Sequence, residues 1–177
     1  MARSVRLYIT ASVDGFIADT DGGIDWLQGA AGEDYGYAEF YASIGTVLMG
    51  SKTYEQVIGF DIDFPYADKP CYVFTSRAGL PKAADTVEFV AEDPAAFVRR
   101  LVAGEGKPLW ACGGGDLVTA LWNAGLIDEI DLFVQPIVLG AGIPLLRPNH
   151  RRRQLTLRAA RTLPGDLVEL RYDAVPT

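Results

Sequence analysis

The feature that most constrains the fold is a run of three glycines between an apolar segment and a helical pattern. Residues 109–112 are typical of a short buried strand, and Leu117, Val118 and Leu121 follow residues 113–115 at helical spacing. Such a glycine turn lets the backbone approach a ligand and directs free N–H groups of the helix start toward it. With the helix dipole, these groups can hold a phosphate. The alternative is a tight strand-to-helix turn without a ligand.

The bulk composition limits the class of protein. The length of 177 residues predicts one domain spanning residues 1–177, and 49% apolar with 22% charged residues is typical of a globular chain. The formal net charge of −7 argues against nucleic acid as a partner. Arginines cluster between residues 147 and 161, but no aromatic residues are interleaved for base stacking. We therefore interpret the cluster as a solvated face rather than a site for an anionic partner.

The cysteine and histidine content excludes the common metal sites. Cys71 and Cys112 lie in apolar runs, which favours buried free thiols. With His150 as the single histidine and no CxxC pair, the sequence predicts no bound metal. It also contains no apolar run of membrane-spanning length and no signal-peptide pattern at the N-terminus. We expect a cytoplasmic protein without a membrane partner.

Strand and helix patterns alternate along the first 134 residues. The predicted strands are 5–11, 46–49, 71–75, 86–90, 109–112 and 129–134. Helices are predicted at 33–44 and 51–58, a third begins at residue 94, and a fourth runs from the three glycines to residue 123. Strand patterns at 154–160 and 167–172 flank a Pro-Gly turn, which predicts a hairpin. The expected fold class is an α/β three-layer sandwich: a mixed, mainly parallel sheet with helices on both faces and a C-terminal antiparallel hairpin.

Three loops should meet at one edge of this sheet. Residues 50–53, 75–77 and 113–115 each follow an apolar strand and are rich in glycine, hydroxyl or cationic side chains. Because ligands of parallel sheets bind beyond the carboxyl ends of the strands, these loops predict an anion site.

Several segments, in their order and spacing, resemble the dihydrofolate reductase superfamily. They are residues 11–18, 25–27, 47–54, 73–77, 113–115 and 128–142. The chain is most similar to the branch that contains the reductase domain of the bacterial riboflavin-biosynthesis deaminase-reductase and its single-domain relatives. The resemblance covers nearly the whole chain and implies a dihydrofolate reductase-like fold.

The resemblance also implies an NADPH site. In it, residues 50–53 would meet the cofactor phosphates, residues 75–77 the adenosine 2′-phosphate, and residues 113–115 the pyrophosphate and the nicotinamide ribose. Hydroxyl donors and a guanidinium suit a doubly charged phosphate. The full set of implied cofactor residues is Ala11, Ile17, Gly50, Ser51, Lys52, Thr53, Thr75, Ser76, Arg77, Cys112, Gly113, Gly114, Gly115, Asp116, Leu117 and Val118.

Two details of the implied site are specific expectations. The peptide bond between Gly113 and Gly114 is expected to be cis, a costly conformation that would itself mark a functional site. Ser51 stands where the family often has an arginine that helps to hold the 2′-phosphate. The choice between NADPH and NADH is therefore open.

The resemblance implies hydride transfer to a small heterocycle. Asp34 falls where folate reductases carry the acid that assists protonation; a buried carboxylate there would have a raised pKa. The alternative is an exposed carboxylate at a helix start. Trp26 and Tyr54, with Tyr35, Tyr37 and Tyr41, are candidates for contact with a flat substrate; the alternative is that they are ordinary core side chains. Residues 132–134 lack the threonine typical of folate reductases, which argues against folate and favours another pterin- or pyrimidine-like ring.

The main functional hypothesis is an NADPH-dependent oxidoreductase of the riboflavin-biosynthesis reductase type. A non-catalytic nucleotide- or heterocycle-binding protein with the same fold is the alternative, and a purely structural subunit is a third reading. The family often forms homodimers, and residues 137–139 and the terminal hairpin are the candidate contacts.

Overall fold

The chain was analysed as a computed structural model, which describes residues 3–29 and 31–176. Its elements along the chain are β1 (Val5–Ser12), β2 (Phe16–Ala18), α1 (Tyr37–Ser43), β3 (Thr46–Gly50), α2 (Ser51–Ile58), β4 (Cys71–Phe74), β5 (Val87–Val90), α3 (Pro94–Ala103), β6 (Leu109–Gly113), α4 (Gly115–Asn123), β7 (Glu129–Gln135), β8 (Ile143–Pro144), β9 (Leu155–Leu163) and β10 (Leu167–Ala174).

The main sheet has the strand order β5-β4-β3-β6-β1-β7-β10-β9. Pairing is parallel from β5 to β7, and β10 and β9 are added antiparallel at one edge. The predicted fold class, including the C-terminal hairpin, is confirmed. β2 pairs with β8 in a separate two-stranded antiparallel sheet, which the sequence analysis did not predict.

The helices cover both faces of the sheet because the buried strands are apolar on both sides. On β3, Leu48 packs into the cluster that contains residues of α3 and α4, whereas Val47 and Met49 face the cluster of α1 and α2. All three side chains are fully buried. Each such side chain contributes about 1.5–3 kcal/mol when it leaves water, so the sheet centre is a rigid support for the loops at its edge.

The first helix begins later than predicted. The pattern predicts a helix from residue 33, but α1 begins at Tyr37. Tyr35 and Gly36 have φ values of 53° and 81°, a left-handed turn that cannot continue a helix. The Asp34 carboxylate accepts hydrogen bonds from the N–H groups of Gly36 and Ala38. This segment therefore caps α1 rather than forming its first turn.

Within the part of the chain that the structure describes, no helix is long and apolar enough to cross a membrane.

Candidate functional site

A cavity of about 1020 Å³ lies at the carboxyl ends of β3, β4 and β6. Its other walls come from β1, β2, α2 and the segment 20–24. The volume is at the upper end of the range for small-molecule and cofactor sites, and the position is the one expected for a ligand of a parallel α/β sheet.

Two helices point their N-termini into this cavity. α2 starts at Ser51 directly after Gly50, and α4 starts at Gly115 directly after Gly114. Within the described residues, no side chain caps either N-terminus. The first N–H groups of both helices therefore remain available to an anion, and both dipoles favour negative charge there.

A side-chain bond joins the two helix starts. The Thr53 Oγ accepts a hydrogen bond from the Gly114 N–H at 2.9 Å. The Thr53 hydroxyl proton can still be donated to an oxygen in the cavity. Thr53 thus fixes the glycine turn after β6 against α2 and keeps a donor for a ligand.

The glycine turn differs in one respect from the expectation. The peptide bond between Gly113 and Gly114 is trans, so the expected cis bond is wrong. Gly113 makes the turn instead through a φ of 146°, a conformation that favours glycine.

β2 and β8 contribute residues to the cavity wall, and two glycines allow the backbone to pack closely there. A Cβ on Gly115 would lie 2.5 Å from the Pro144 carbonyl oxygen, and a Cβ on Gly142 would lie 2.3 Å from the Ala18 oxygen. Both glycines are therefore required by backbone packing. The Asp14 carboxylate holds the segment before β8 by accepting hydrogen bonds from its backbone N–H groups at residues 139 and 140.

Most of the cofactor residues implied by the sequence border this one cavity. The structure brings together Ile17, Gly50, Ser51, Lys52, Thr53, Thr75, Ser76, Cys112, Gly113, Gly114, Gly115, Asp116 and Leu117. Their contacts with a cofactor stay predictions, but their common location follows from the parallel order of β4, β3 and β6.

Three implied cofactor residues are not in the cavity wall. Ala11 and Val118 are buried in the protein core. Arg77 is exposed, and its guanidinium is 2.5 Å from the carboxylate of Glu55, which lines the cavity. The Arg77 hydrogen bond lowers the pKa of Glu55. Arg77 is thus already engaged by an acid at the place where a 2′-phosphate was expected.

One cation of the site was missed by the sequence analysis. Arg147 lines the cavity and makes a two-point contact with Asp116, at 2.7 and 3.2 Å. This contact lowers the pKa of Asp116. The only sequence signal was that Arg147 begins the arginine cluster, which we interpreted as a solvated face.

Asp34 is not the buried acid that the resemblance implied. Its carboxylate is exposed, and the N–H groups of Gly36 and Ala38 lower its pKa instead of raising it. The observation agrees with the alternative of a carboxylate at a helix start. Asp34 lines a second, smaller pocket of about 240 Å³ beside the main cavity.

Two of the aromatic residues predicted to contact substrate lie elsewhere. Tyr54 is fully buried, and its hydroxyl donates to the Pro81 carbonyl and accepts from the Ala83 N–H, both at 2.8 Å. Trp26 is half-buried, donates to the Gly23 carbonyl, and lines neither pocket. Tyr54 thus has the core position that was the alternative, and a substrate contact of Trp26 stays a prediction, because aromatic character alone does not distinguish a core residue from a cavity residue.

Aromatic residues do line both spaces. Tyr66, Trp110 and Tyr8 line the main cavity and were not predicted to do so, whereas Tyr37, one of the aromatic candidates from the sequence, lines the smaller pocket. The Tyr66 hydroxyl lies close to the side chains of Tyr37 and Cys112. Burial raises the pKa of Tyr66, so its phenol is neutral and can only donate or accept hydrogen bonds at ordinary pH.

Both thiols are expected to be poorly reactive in the folded protein. Burial raises the pKa of Cys112 and of Cys71 from 9.0 to about 12. The unfolded thiols ionise first, so the free energy of unfolding should fall as the pH rises above 9. Cys71 is fully buried, whereas Cys112 is partly exposed and lines the cavity. We expect iodoacetamide at pH 8 to leave Cys71 unmodified in native protein, to modify Cys112 slowly because its thiol is protonated, and to alkylate both thiols in denaturant, as read by mass spectrometry. Rapid native alkylation of Cys71 would contradict its burial.

Comparison with known proteins gives consistent matches. The sequence model of the RibD C-terminal domain matches residues 3–168. The chain is 42% identical over 175 residues to the uncharacterised protein YwjB of Bacillus subtilis (strain 168). This match covers 97% of this chain and 98% of that protein.

Solved structures share the architecture. A crystal structure from Shewanella sp. PV-4, of a protein ascribed to riboflavin biosynthesis, has a TM-score of 0.86 and 27% identity over 99% of both chains. A diaminohydroxyphosphoribosylaminopyrimidine deaminase/5-amino-6-(5-phosphoribosylamino)uracil reductase from Thermotoga maritima has a TM-score of 0.71 and 15% identity, with 98% of this chain and 57% of that chain covered. The latter match bears on fold alone.

Proposed function

Because the chain belongs to the RibD C-terminal domain family, we propose that it is an NADPH-dependent reductase of a small pterin- or pyrimidine-like heterocycle. The observation that carries the proposal is the convergence of two uncapped helix N-termini and the loop after β4 on one cavity. The Thr53–Gly114 hydrogen bond holds the two helix starts together. This arrangement suits a ligand with several phosphates.

The residues present fit a nicotinamide dinucleotide. The N–H groups at the starts of α2 and α4 suit the pyrophosphate, and the Thr75 and Ser76 hydroxyls with Lys52 suit a phosphate on the adenosine ribose. Ile17 and Ile9 supply an apolar wall for a ring. NADPH, when bound, supplies a hydride; the chain itself orients the two reactants and excludes water.

A titration with each dinucleotide tests the proposal. Trp110 lines the cavity, so its emission should be quenched by a bound nicotinamide. We expect saturable quenching by NADPH, and a larger dissociation constant for NADH. If neither dinucleotide binds, the reductase proposal is wrong.

A non-catalytic binding protein is the second candidate. The carboxylate at the position of the expected acid, Asp34, is exposed and has a lowered pKa, which makes it a poor proton donor. NADPH binding without NADPH oxidation in the presence of pterins and pyrimidines would favour this candidate. Oxidation with any of these rings would exclude it.

Glu55 should weaken the preference for NADPH. It competes with a 2′-phosphate for Arg77, so Glu55→Gln is expected to tighten NADPH binding about threefold to fivefold and leave NADH binding unchanged; the gain is small because both partners are partly exposed. Glu92→Gln is a matched control, since Glu92 also lines the cavity and pairs with Arg100. Equal shifts for both dinucleotides would contradict the competition.

We also propose that the protein forms a homodimer through the hairpin edge. Leu157 on the edge strand β9 is 55% exposed. Edge strands with exposed apolar side chains favour pairing with another chain. Light scattering should give the mass of a dimer, and Leu157→Glu should lower the measured mass toward that of a monomer. Ile62→Glu is the control, since Ile62 is 63% exposed but lies outside the hairpin. A monomeric wild-type mass would contradict the proposal.

A further inference from the structure

The smaller pocket adjoins the main cavity on the side away from the β4 loop. Tyr8, Thr10 and Leu27 line both of them, so the two spaces lie on either side of the same side chains of β1 and the segment after β2. The volume of about 240 Å³ is enough for a compound of one or two rings. A ring held there would lie next to Tyr8, Thr10 and Leu27, which the smaller pocket shares with the main cavity.

The smaller pocket and the main cavity differ in their charged side chains. Among residues 3–29 and 31–176, the main cavity is lined by Lys52 and Arg147 and by the carboxylates of Asp21, Glu55, Glu92 and Asp116. No described lysine or arginine lines the smaller pocket, and the charged side chain in its described lining is Asp34. Arg171 is near enough to influence Tyr8, but its guanidinium is paired with Glu169 and Asp131.

Asp34 remains an anion at neutral pH. Its oxygens accept hydrogen bonds from the N–H groups of Gly36 and Ala38, at 2.9 and 3.2 Å, and these bonds lower its pKa. The bonds also fix the carboxylate at the rim, because α1 begins there. An anionic ligand in the smaller pocket would therefore meet a fixed like charge.

The remaining lining suits a flat, uncharged ring. Tyr8, Tyr37 and Phe133 provide aromatic surface. Gln135 is buried, and its Nε2 donates to the Gln28 carbonyl at 2.7 Å, which leaves its Oε1 to accept a hydrogen bond from a ring N–H. Such a mixture of aromatic walls and one oriented amide is typical of a site for a neutral heterocycle.

We infer that the smaller pocket takes the ring of an unphosphorylated heterocycle, neutral or positively charged. A ribose 5-phosphate on the substrate would find the Asp34 carboxylate and no described lysine or arginine in the wall of this pocket, whereas phosphate sites in proteins are built from arginine, lysine and N–H donors. The chain would thus differ in substrate from the Thermotoga maritima neighbour, whose name specifies 5-amino-6-(5-phosphoribosylamino)uracil. The inference rests on the proposed function, because it takes the main cavity as the cofactor site.

The experiment compares two compounds that differ only in the phosphate. 5-Amino-6-(ribosylamino)uracil and its 5′-phosphate are titrated by calorimetry into the protein, with and without saturating NADPH. The unphosphorylated compound should bind at least about fivefold tighter at low salt, and the ratio should narrow as salt screens the repulsion. Equal or tighter binding of the 5′-phosphate would overturn the inference.

Two variants test whether the Asp34 carboxylate causes the difference between the two affinities. Asp34→Asn removes the charge and keeps one acceptor oxygen for the N–H groups of Gly36 and Ala38, so it should bring the ratio of the two affinities closer to one at a small cost in stability. Glu39→Gln is the matched control, because Glu39 is an exposed acid on α1 that lines neither pocket. An unchanged ratio in Asp34→Asn would overturn the role of this carboxylate.

The same titrations separate this inference from the proposed function. If NADPH binds and neither uracil compound does, the inference is wrong and the cofactor proposal stands. If the unphosphorylated compound binds preferentially and NADPH does not bind, the reductase proposal is wrong and the charge preference of the pocket stands.

Discussion

Replacing Gly115 with alanine is expected to destabilise the protein and to remove the proposed NADPH-dependent activity. The new Cβ would lie 2.5 Å from the Pro144 carbonyl oxygen, a backbone atom that cannot rotate away. The start of α4 must therefore move from β8, at a cost of about 2 kcal/mol in the free energy of unfolding. A shift of about 1 Å at the helix start is enough to lower turnover roughly a hundredfold. Chemical denaturation and NADPH oxidation would measure the two effects.

Gly114 provides the matched control for this prediction. A Cβ there would have its nearest contact at 3.4 Å, with the Thr53 Oγ, and the φ of Gly114 is −29°, outside the left-handed region. Gly114→Ala should therefore unfold at nearly the wild-type denaturant concentration. If both alanine variants were equally stable, close packing against β8 would not be the reason for a glycine at position 115.

Replacing Thr53 with valine is expected to loosen the glycine turn. Valine has nearly the same shape but cannot accept the Gly114 N–H, which Thr53 binds at 2.9 Å. The lost bond should lower the free energy of unfolding by about 1–2 kcal/mol. NADPH should bind at least about tenfold more weakly, because the turn loses its anchor and the cavity loses a hydroxyl donor.

Thr53→Ser separates the hydroxyl from the methyl group. Serine restores the acceptor, so we expect NADPH affinity within about threefold of wild type, since cavity effects of one methyl are small. Tryptophan quenching gives the affinities of both variants. Weak NADPH binding by the serine variant, or wild-type binding by the valine variant, would contradict the role of the hydrogen bond.

The sequence predicted the sheet well because its strands are strongly patterned. The strands β3, β4 and β6 are almost entirely apolar, and each is followed by a glycine or hydroxyl loop. Loops with this composition after neighbouring strands must meet at one edge, so the position of the cavity followed from local pattern and the resemblance.

The predictions from sequence were wrong at positions where tertiary contacts determine the local structure. The start of α1 depends on the left-handed turn at Tyr35 and Gly36, and the two-residue strand β8 exists only because β2 lies beside it. Tyr54 and Arg77 each had a plausible ligand, but the protein itself satisfies them, through the Pro81 carbonyl and the Glu55 carboxylate. A single sequence does not show such internal partners.

The central position of β1 has a consequence for how the chain folds. β1 is the first strand of the chain, yet it pairs with β6 and β7, so that Val5 lies opposite Leu109 and Arg6 opposite Glu129. Closing contacts between residues more than a hundred positions apart is slow, and it exposes both edges of the unpaired strands in the meantime. During synthesis β1 cannot be paired on both sides until β7 has left the ribosome, and the sheet is completed only after β9 and β10 follow. Chains that are truncated near the C-terminal end of β7 should therefore aggregate instead of forming a smaller folded core.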